Sequence, residues 1–337
     1  MAIIRVGIDT SKHVFQVHGV DESEQRVLRR AVRRGELLTV LGKLAPTRIG
    51  LEACAASHHW ARELGRLGHE VVLLPPQYVK PYVKRGKHDA ADAEAICEAM
   101  SRPGMRFVAV KSSEQQAMLM LIKVRDLLVK QRTMLINAMR GHAAEFGVIA
   151  AKGRSKMAEL LRRVQERDAG VPALAVSLLA GLARGCAALD AEIAALEHQL
   201  LAWHRQDPVS QCLATQPGIG PIAAVSFALK VSDPRGFRSG RHFAAWLGAT
   251  PKENSTGGRR RPGKISREGD AGLRKLLVLG ATAVIRAAGP GRASPWLLQL
   301  LARKPKKLAA VALANKMART LWAMMVSGEV YRRPMPA

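Results

Sequence analysis

Four carboxylates, Asp9, Glu52, Asp89 and Asp92, occupy positions from which they could act together. Asp9 ends the β-branched run Ile3-Ile4-Arg5-Val6-Gly7-Ile8, and Glu52 ends Arg48-Ile49-Gly50-Leu51. Side chains alternate along a strand, so a terminal residue can face a site at the sheet edge. If the two strands are adjacent and parallel, both acids reach the same edge. Asp89 and Asp92 stand three apart at the start of a helical stretch, which puts them on one face. Carboxylates gathered in this way repel one another and raise their own pKa values unless a cation compensates. Mg²⁺, a hard ion that takes oxygen ligands, suits such a set, and two ions would activate and stabilise oxygens in phosphoryl transfer. Taken singly, each acid is as well explained as an exposed or helix-capping carboxylate. Taken together, they predict a metal site with all four as ligands.

Positive charge flanks these acids. Lys84, Arg85, Lys87 and His88 directly precede Asp89, where a phosphate would approach. Further on, Gln216-Pro217-Gly218-Ile219-Gly220-Pro221 reads as a helix-hairpin-helix turn, with Gly218 and Gly220 offering backbone N–H groups to a phosphate. A plain helix–helix turn would look similar. Residues 252–275 hold eight basic and three acidic side chains. Arg259, Arg260, Arg261, Lys264 and Arg267 are the expected phosphate contacts there, whether beside a reacting group or in non-specific binding. Ser255 lies among small residues just before these arginines, but its residue type alone does not single it out as a nucleophile.

The whole chain fits this emphasis. Its 337 residues carry 53 Lys+Arg and 27 Asp+Glu, a net charge of +26. Such a surplus strains a compact state unless a polyanion balances it, so nucleic acid is the expected partner. A hydrophobic content of 48% is too high for a disordered basic tail. The net charge is +6 over residues 1–111, +4 over 112–206 and +16 over 207–337. The last segment is therefore the phosphate-gripping candidate, and the first retains acids for another purpose. Four dispersed cysteines, Cys54, Cys97, Cys186 and Cys212, form no zinc-binding spacing and fit a reducing, cytoplasmic setting. The longest apolar run, Leu276 to Ile285, is too short to cross a bilayer, so no membrane association is expected.

The elements that must position the acids are an α/β set. Strands around residues 2–9, 13–18 and 26–32 form a meander, followed by a helix at 36–44, a strand at 48–52, a helix at 57–67 and a strand at 70–74. That is the element order of a ribonuclease-H-like fold. The middle is helical, with Leu121, Leu128 and Leu135 at sevens and again Leu182, Leu189, Leu196 and Trp203. Such stripes fit an antiparallel helical hairpin within one chain or a coiled-coil dimer arm. Residues 248–272 read as a long polar loop, and three helices follow it. Three segments result: a metal-binding domain at 1–111, a helical coiled-coil region at 112–206, and a mostly helical, DNA-binding domain at 207–337.

The motifs resemble those of the DEDD transposases of bacterial insertion sequences, also called bridge-RNA-guided recombinases. The resemblance runs through Val6-Gly7-Ile8-Asp9, Leu51-Glu52-Ala53, Lys87-His88-Asp89-Ala90-Ala91-Asp92-Ala93, and Gln216-Pro217-Gly218-Ile219-Gly220. It continues from Phe243-Ala244-Ala245-Trp246-Leu247-Gly248 through Ser255 to Gly269, and ends in Asp270-Ala271-Gly272-Leu273-Arg274. It implies a RuvC-like N-terminal domain in which Asp9, Glu52, Asp89 and Asp92 bind metal, and a C-terminal domain whose Ser255 attacks DNA to form a covalent phosphoserine link. It further implies donor and target DNA as substrates, a structured guide RNA, a homo-oligomer (dimer or tetramer), and an active site composed from both domains. On the residues alone, two alternatives stand beside it. One is a hydrolytic junction-resolving nuclease using the same acids with water, and the other a non-catalytic nucleic-acid-binding protein.

Overall fold

The computed structural model describes residues 2–84, 89–151, 153–166, 170–259, 261–289 and 293–332. They form two compact units, Met1–Ala117 and Met118–Ala337. The first contains β1 (Arg5–Asp9), β2 (Val14–Val20), β3 (Arg26–Arg33), α1 (Leu37–Leu41), β4 (Arg48–Glu52), α2 (Ser57–Arg66), β5 (Glu70–Leu74), α3 (Pro76–Val79) and α4 (Asp89–Ala99). Helix α5 (Ser113–Ala144) carries the chain into the second unit.

The five strands make one sheet in the order β3-β2-β1-β4-β5, the ribonuclease-H-like order expected from the sequence. The meander pairs antiparallel, and β1, β4 and β5 run parallel. Alternation divides β1 between two faces. Val6 and Ile8 enter a core with Phe15, Ile49, Leu51, Trp60 and Leu64. Gly7 and Asp9 face the other way, toward α4, whose Ile96 and Ala99 pack with Leu74 and Met100.

The second unit continues with α6 (Met157–Gln165), α7 (Ala173–Gln206), α8 (Pro208–Ala214), α9 (Pro221–Lys230), α10 (Gly240–Trp246), β6 (Pro251–Glu253), β7 (Pro262–Ile265), α11 (Ala271–Arg286), α12 (Pro295–Arg303) and α13 (Lys306–Ser327). The leucine stripes of α5 and α7 meet within one chain. Arg125 Nε donates to Glu197 at 2.8 Å and Arg132 to Asp190 at 2.7 Å, an antiparallel register in which one number falls as the other rises. Of the two options for these stripes, the structure takes the intramolecular hairpin. Helix α7 is long and apolar enough to cross a membrane by length and composition alone; its Asp190 and Glu197 are ion-paired to α5. Helices α8 to α13 share a core centred on Phe227, Phe243, Leu273, Leu277, Ala314 and Leu321.

Part of the expected polar loop at 248–272 is a β-hairpin. Strands β6 and β7 pair antiparallel, and Thr256 and Arg259 form a bridge around Gly257-Gly258. Both glycines have positive φ, 54° and 74°. This is the type I′ pattern, whose twist suits a two-residue hairpin and which side chains resist. The polar composition hid a turn that the adjacent glycines specify.

Candidate metal centre and serine hairpin

The acid cluster is built by close approach of a helix to a strand. Register pairs Gly7 with Gly50 and Ile8 with Leu51, so the next residue on each strand, Asp9 and Glu52, ends its strand at the same sheet edge. Both glycines lie under α4. A Cβ at Gly7 would meet the Ala93 carbonyl oxygen at 2.2 Å and the Cys97 nitrogen at 2.5 Å; one at Gly50 would meet Met100 Sδ at 2.7 Å. Small buried residues of α4, Ala91, Ala93, Ala95 and Cys97, complete the fit. Arg5, two residues before Gly7, donates through Nε to the Cys97 carbonyl at 2.9 Å. The loops after β1 and β4 also touch, Thr10 Oγ1 lying 3.3 Å from Cys54 Sγ.

This packing brings one carboxylate oxygen each of Asp9, Asp89 and Asp92 within 4.8 Å of one another. Burial, then the charges of Asp92, Asp89 and Glu52, push the Asp9 carboxyl up to about 6. The N–H of Thr10, the residue after β1, opposes the rise. Three hard oxygen donors with an unfavourable mutual charge are the donor chemistry that a divalent cation relieves. Glu52 is near enough for its charge to act on Asp9 but stands outside the closest trio.

Ser255 sits on the hairpin, two residues before its turn. Its hydroxyl donates to the Glu253 carboxylate and accepts the Arg261 N–H at 2.9 Å. Asn254 N–H bonds the Arg261 carbonyl at 3.1 Å, and Thr256 and Arg259 exchange both backbone bonds. The hairpin base is anchored by two glycines with positive φ. A Cβ at Gly248 would lie 2.0 Å from the Glu268 carbonyl oxygen, and one at Gly269 1.9 Å from that of Trp246. Arg274 Nη1 fastens the same place by donating to the Leu247 and Glu268 carbonyls at 2.8 and 2.9 Å. Asp270 caps α11 by accepting the Leu273 N–H at 2.9 Å and pairs with Lys230 at 2.9 Å.

The expected phosphate contacts fall into several settings. Arg259, Arg261 and Lys264 are exposed on the hairpin, and Arg267 is exposed at its base with a positive φ of 59°. Lys84 is ion-paired with Glu94 of α4, which raises its pKa. Arg85, Lys87 and Arg260 lie outside the described residues, as does His88. Gly220 is exposed and is the N-cap residue of α9. Gly218, with φ of 86°, presses on α11, where a Cβ would lie 2.7 Å from the Gly280 carbonyl oxygen, so packing alone already calls for glycine there.

The sequence reading did not find Glu253, Gly50, Gly248 or Arg274 as participants. The pairing of Glu253, the last residue of β6, with Ser255 two residues later was detectable in principle from their spacing. It required seeing the hairpin first.

Residues 6–147 match the family described as Transposase, of the DEDD type, and residues 210–296 match that described as Transposase IS116/IS110/IS902 family. A relative from Sinorhizobium fredii is 53% identical over 334 residues, covering 98% of this chain and 86% of its own. The transposase for insertion sequence element IS1328 of Yersinia enterocolitica is 37% identical, covering 97% and 98%. That for element IS1111A of Coxiella burnetii is 36% identical, covering 97% and 91%. With an acid cluster on a ribonuclease-H-like sheet and both halves matched, the chain belongs to the IS110/IS116/IS902 family of insertion-sequence transposases, enzymes that cleave and join DNA.

Proposed function

We propose that this transposase moves its element by phosphoryl transfer through a covalent phosphoserine on Ser255. Attack forms the Oγ–P bond while one P–O bond of the DNA backbone breaks and frees a DNA hydroxyl. In rejoining, a hydroxyl of the exchanged strand attacks that phosphorus and Oγ leaves, regaining its proton. The phosphodiester energy is retained, in keeping with a sequence that has no G-x-x-x-x-G-K-[ST] loop for a nucleoside triphosphate.

Asp9, Glu52, Asp89 and Asp92 hold Mg²⁺ in this reading, as two ions. When bound, the metal supplies charge neutralisation and Lewis-acid polarisation of phosphate oxygens. The observation that carries the reading is the convergence of Asp9, Asp89 and Asp92 within 4.8 Å. Arg259, Arg260, Arg261, Lys264 and Arg267 neutralise DNA phosphates near the serine, Lys84, Arg85 and Lys87 do so near the acids, and Gly218 and Gly220 offer backbone donors. Donor and target DNA are chosen with a structured guide RNA, and the protein works in the bacterial cytoplasm as a homo-oligomer.

The test is to incubate the protein with DNA carrying the joined element ends, RNA transcribed from the element's non-coding segment, and Mg²⁺, and to resolve the products under denaturing conditions. A protein–DNA adduct that disappears in Ser255→Ala, in Asp9→Ala and with chelator is expected. Cleavage to free 5′-phosphate ends without any adduct would instead indicate water as the nucleophile.

A further inference from the structure

We propose that Glu253 is the base that takes the proton of Ser255, a role that rests on the serine reading above. A serine hydroxyl is a weak nucleophile at its ordinary pKa and needs a neighbouring acceptor for its proton. On the hairpin the hydroxyl is already directed. Its proton points at the Glu253 carboxylate, and one lone pair is engaged by the Arg261 N–H at 2.9 Å. The remaining lone pair is left for phosphorus. Glu253 ends β6, and Ser255 follows it by two residues, before the Gly257-Gly258 turn. The Asn254–Arg261 bond and the Gly257-Gly258 turn fix the register that brings Arg261 opposite.

Proton accounting closes in both directions. As the Oγ–P bond forms, the serine proton moves to a Glu253 carboxylate oxygen. The departing DNA oxygen takes its proton from solvent; when Oγ leaves in the rejoining step, the same carboxyl returns the serine proton to it, and the incoming DNA hydroxyl releases its own to solvent. Among the described residues, Arg259, Arg261 and Lys264 are exposed basic residues of the hairpin. They offset the repulsion between a carboxylate and an arriving phosphate.

The experiment measures single-turnover adduct formation on the DNA, RNA and Mg²⁺ mixture described above, between about pH 5 and 9. Wild type, Glu253→Gln, Glu253→Asp and Ser255→Ala are compared. Glutamine still accepts the serine hydrogen bond, so it keeps the geometry and removes only the basicity; gel-shift binding confirms that each variant is folded and holds DNA. We expect Glu253→Gln to slow adduct formation about 100-fold, with Glu253→Asp recovering part of the rate. Taking the wild-type to Gln rate ratio at each pH cancels contributions common to both proteins, Asp9 included. A Gln variant within about threefold of wild type at every pH overturns the role of Glu253 while leaving the serine reading intact. A wild type that forms no adduct, or an adduct surviving in Ser255→Ala, overturns both.

Discussion

Gly7 of β1 lies against Ala93 of α4 so closely that a Cβ on the glycine would sit 2.2 Å from the Ala93 carbonyl oxygen. This contact positions the acids. Asp9 is two residues beyond Gly7 on the same face of β1, and Asp92 is the residue before Ala93. The glycine therefore sets how near the helix's carboxylates come to the strand's.

Replacing Gly7 with alanine must move α4 away from the sheet, because the obstructing atoms are backbone. We expect Gly7→Ala to lower stability by about 1–3 kcal/mol, the usual cost of overpacking. Mg²⁺ affinity should weaken more than in a control such as Gly65→Ala, where a Cβ has nothing within 4 Å. Urea denaturation and isothermal titration with Mg²⁺ check the two effects.

Asp9 gives a pH dependence with a definite sign. Its carboxyl titrates near 6 in the fold against an ordinary 3.8, so between these values the folded chain binds more protons than the unfolded chain. Without metal, this group's contribution makes stability fall as pH rises through that window, and the loss persists above it. Asp9→Asn should relieve it, with a gain of about 1 kcal/mol at neutral pH once solvent screening of a half-buried group is allowed for. The advantage should vanish near pH 3.8, where wild-type Asp9 is mostly protonated in the fold. Mg²⁺ should raise the melting temperature of wild type at neutral pH and leave the variant unchanged.

The serine hairpin depends on its two-glycine turn. Alanine at both Gly257 and Gly258 places side chains at positive φ, at about 1 kcal/mol each. Adduct formation should fall at least about tenfold as the Glu253–Ser255–Arg261 geometry loosens. Titration calorimetry should find Mg²⁺ binding unchanged, since the acids belong to a separate compact unit.

The pairing of α5 with α7 is testable by a double-mutant cycle on Arg125 and Glu197, whose side chains are 18% and 35% exposed. A coupling of about 0.5–1 kcal/mol is expected. It should be independent of protein concentration, because both partners are in one chain. A concentration-dependent coupling would point to pairing between chains.

The sheet and the acids were readable in the sequence because strand ends and a helix start are local features. Ile8-Asp9, Leu51-Glu52 and Asp89-x-x-Asp92 announce themselves by alternation and spacing. What local reading missed was contact between distant segments. Gly7 looks like any strand glycine until α4, nearly ninety residues later, lies on it. Gly248 and Gly269 likewise acquire their meaning from each other's neighbours, Glu268 and Trp246. The charge-rich segment around Ser255 obscured two short strands that only the Gly257-Gly258 turn gives away. Heptad spacing in α5 and α7 established a helical partner for each without saying which chain supplies it, and the Arg–carboxylate pairs decided that.

The central claim is a covalent bond between Ser255 and DNA phosphorus. The most direct measurement is mass spectrometry of the protein after reaction with element-end DNA, guide RNA and Mg²⁺, followed by nuclease and protease digestion. A nucleotide phosphate attached to Ser255, absent from the Asp89→Ala protein, is the result expected. Cleaved DNA accompanied by an unmodified Ser255 peptide, or by a nucleotide on another residue, contradicts the account.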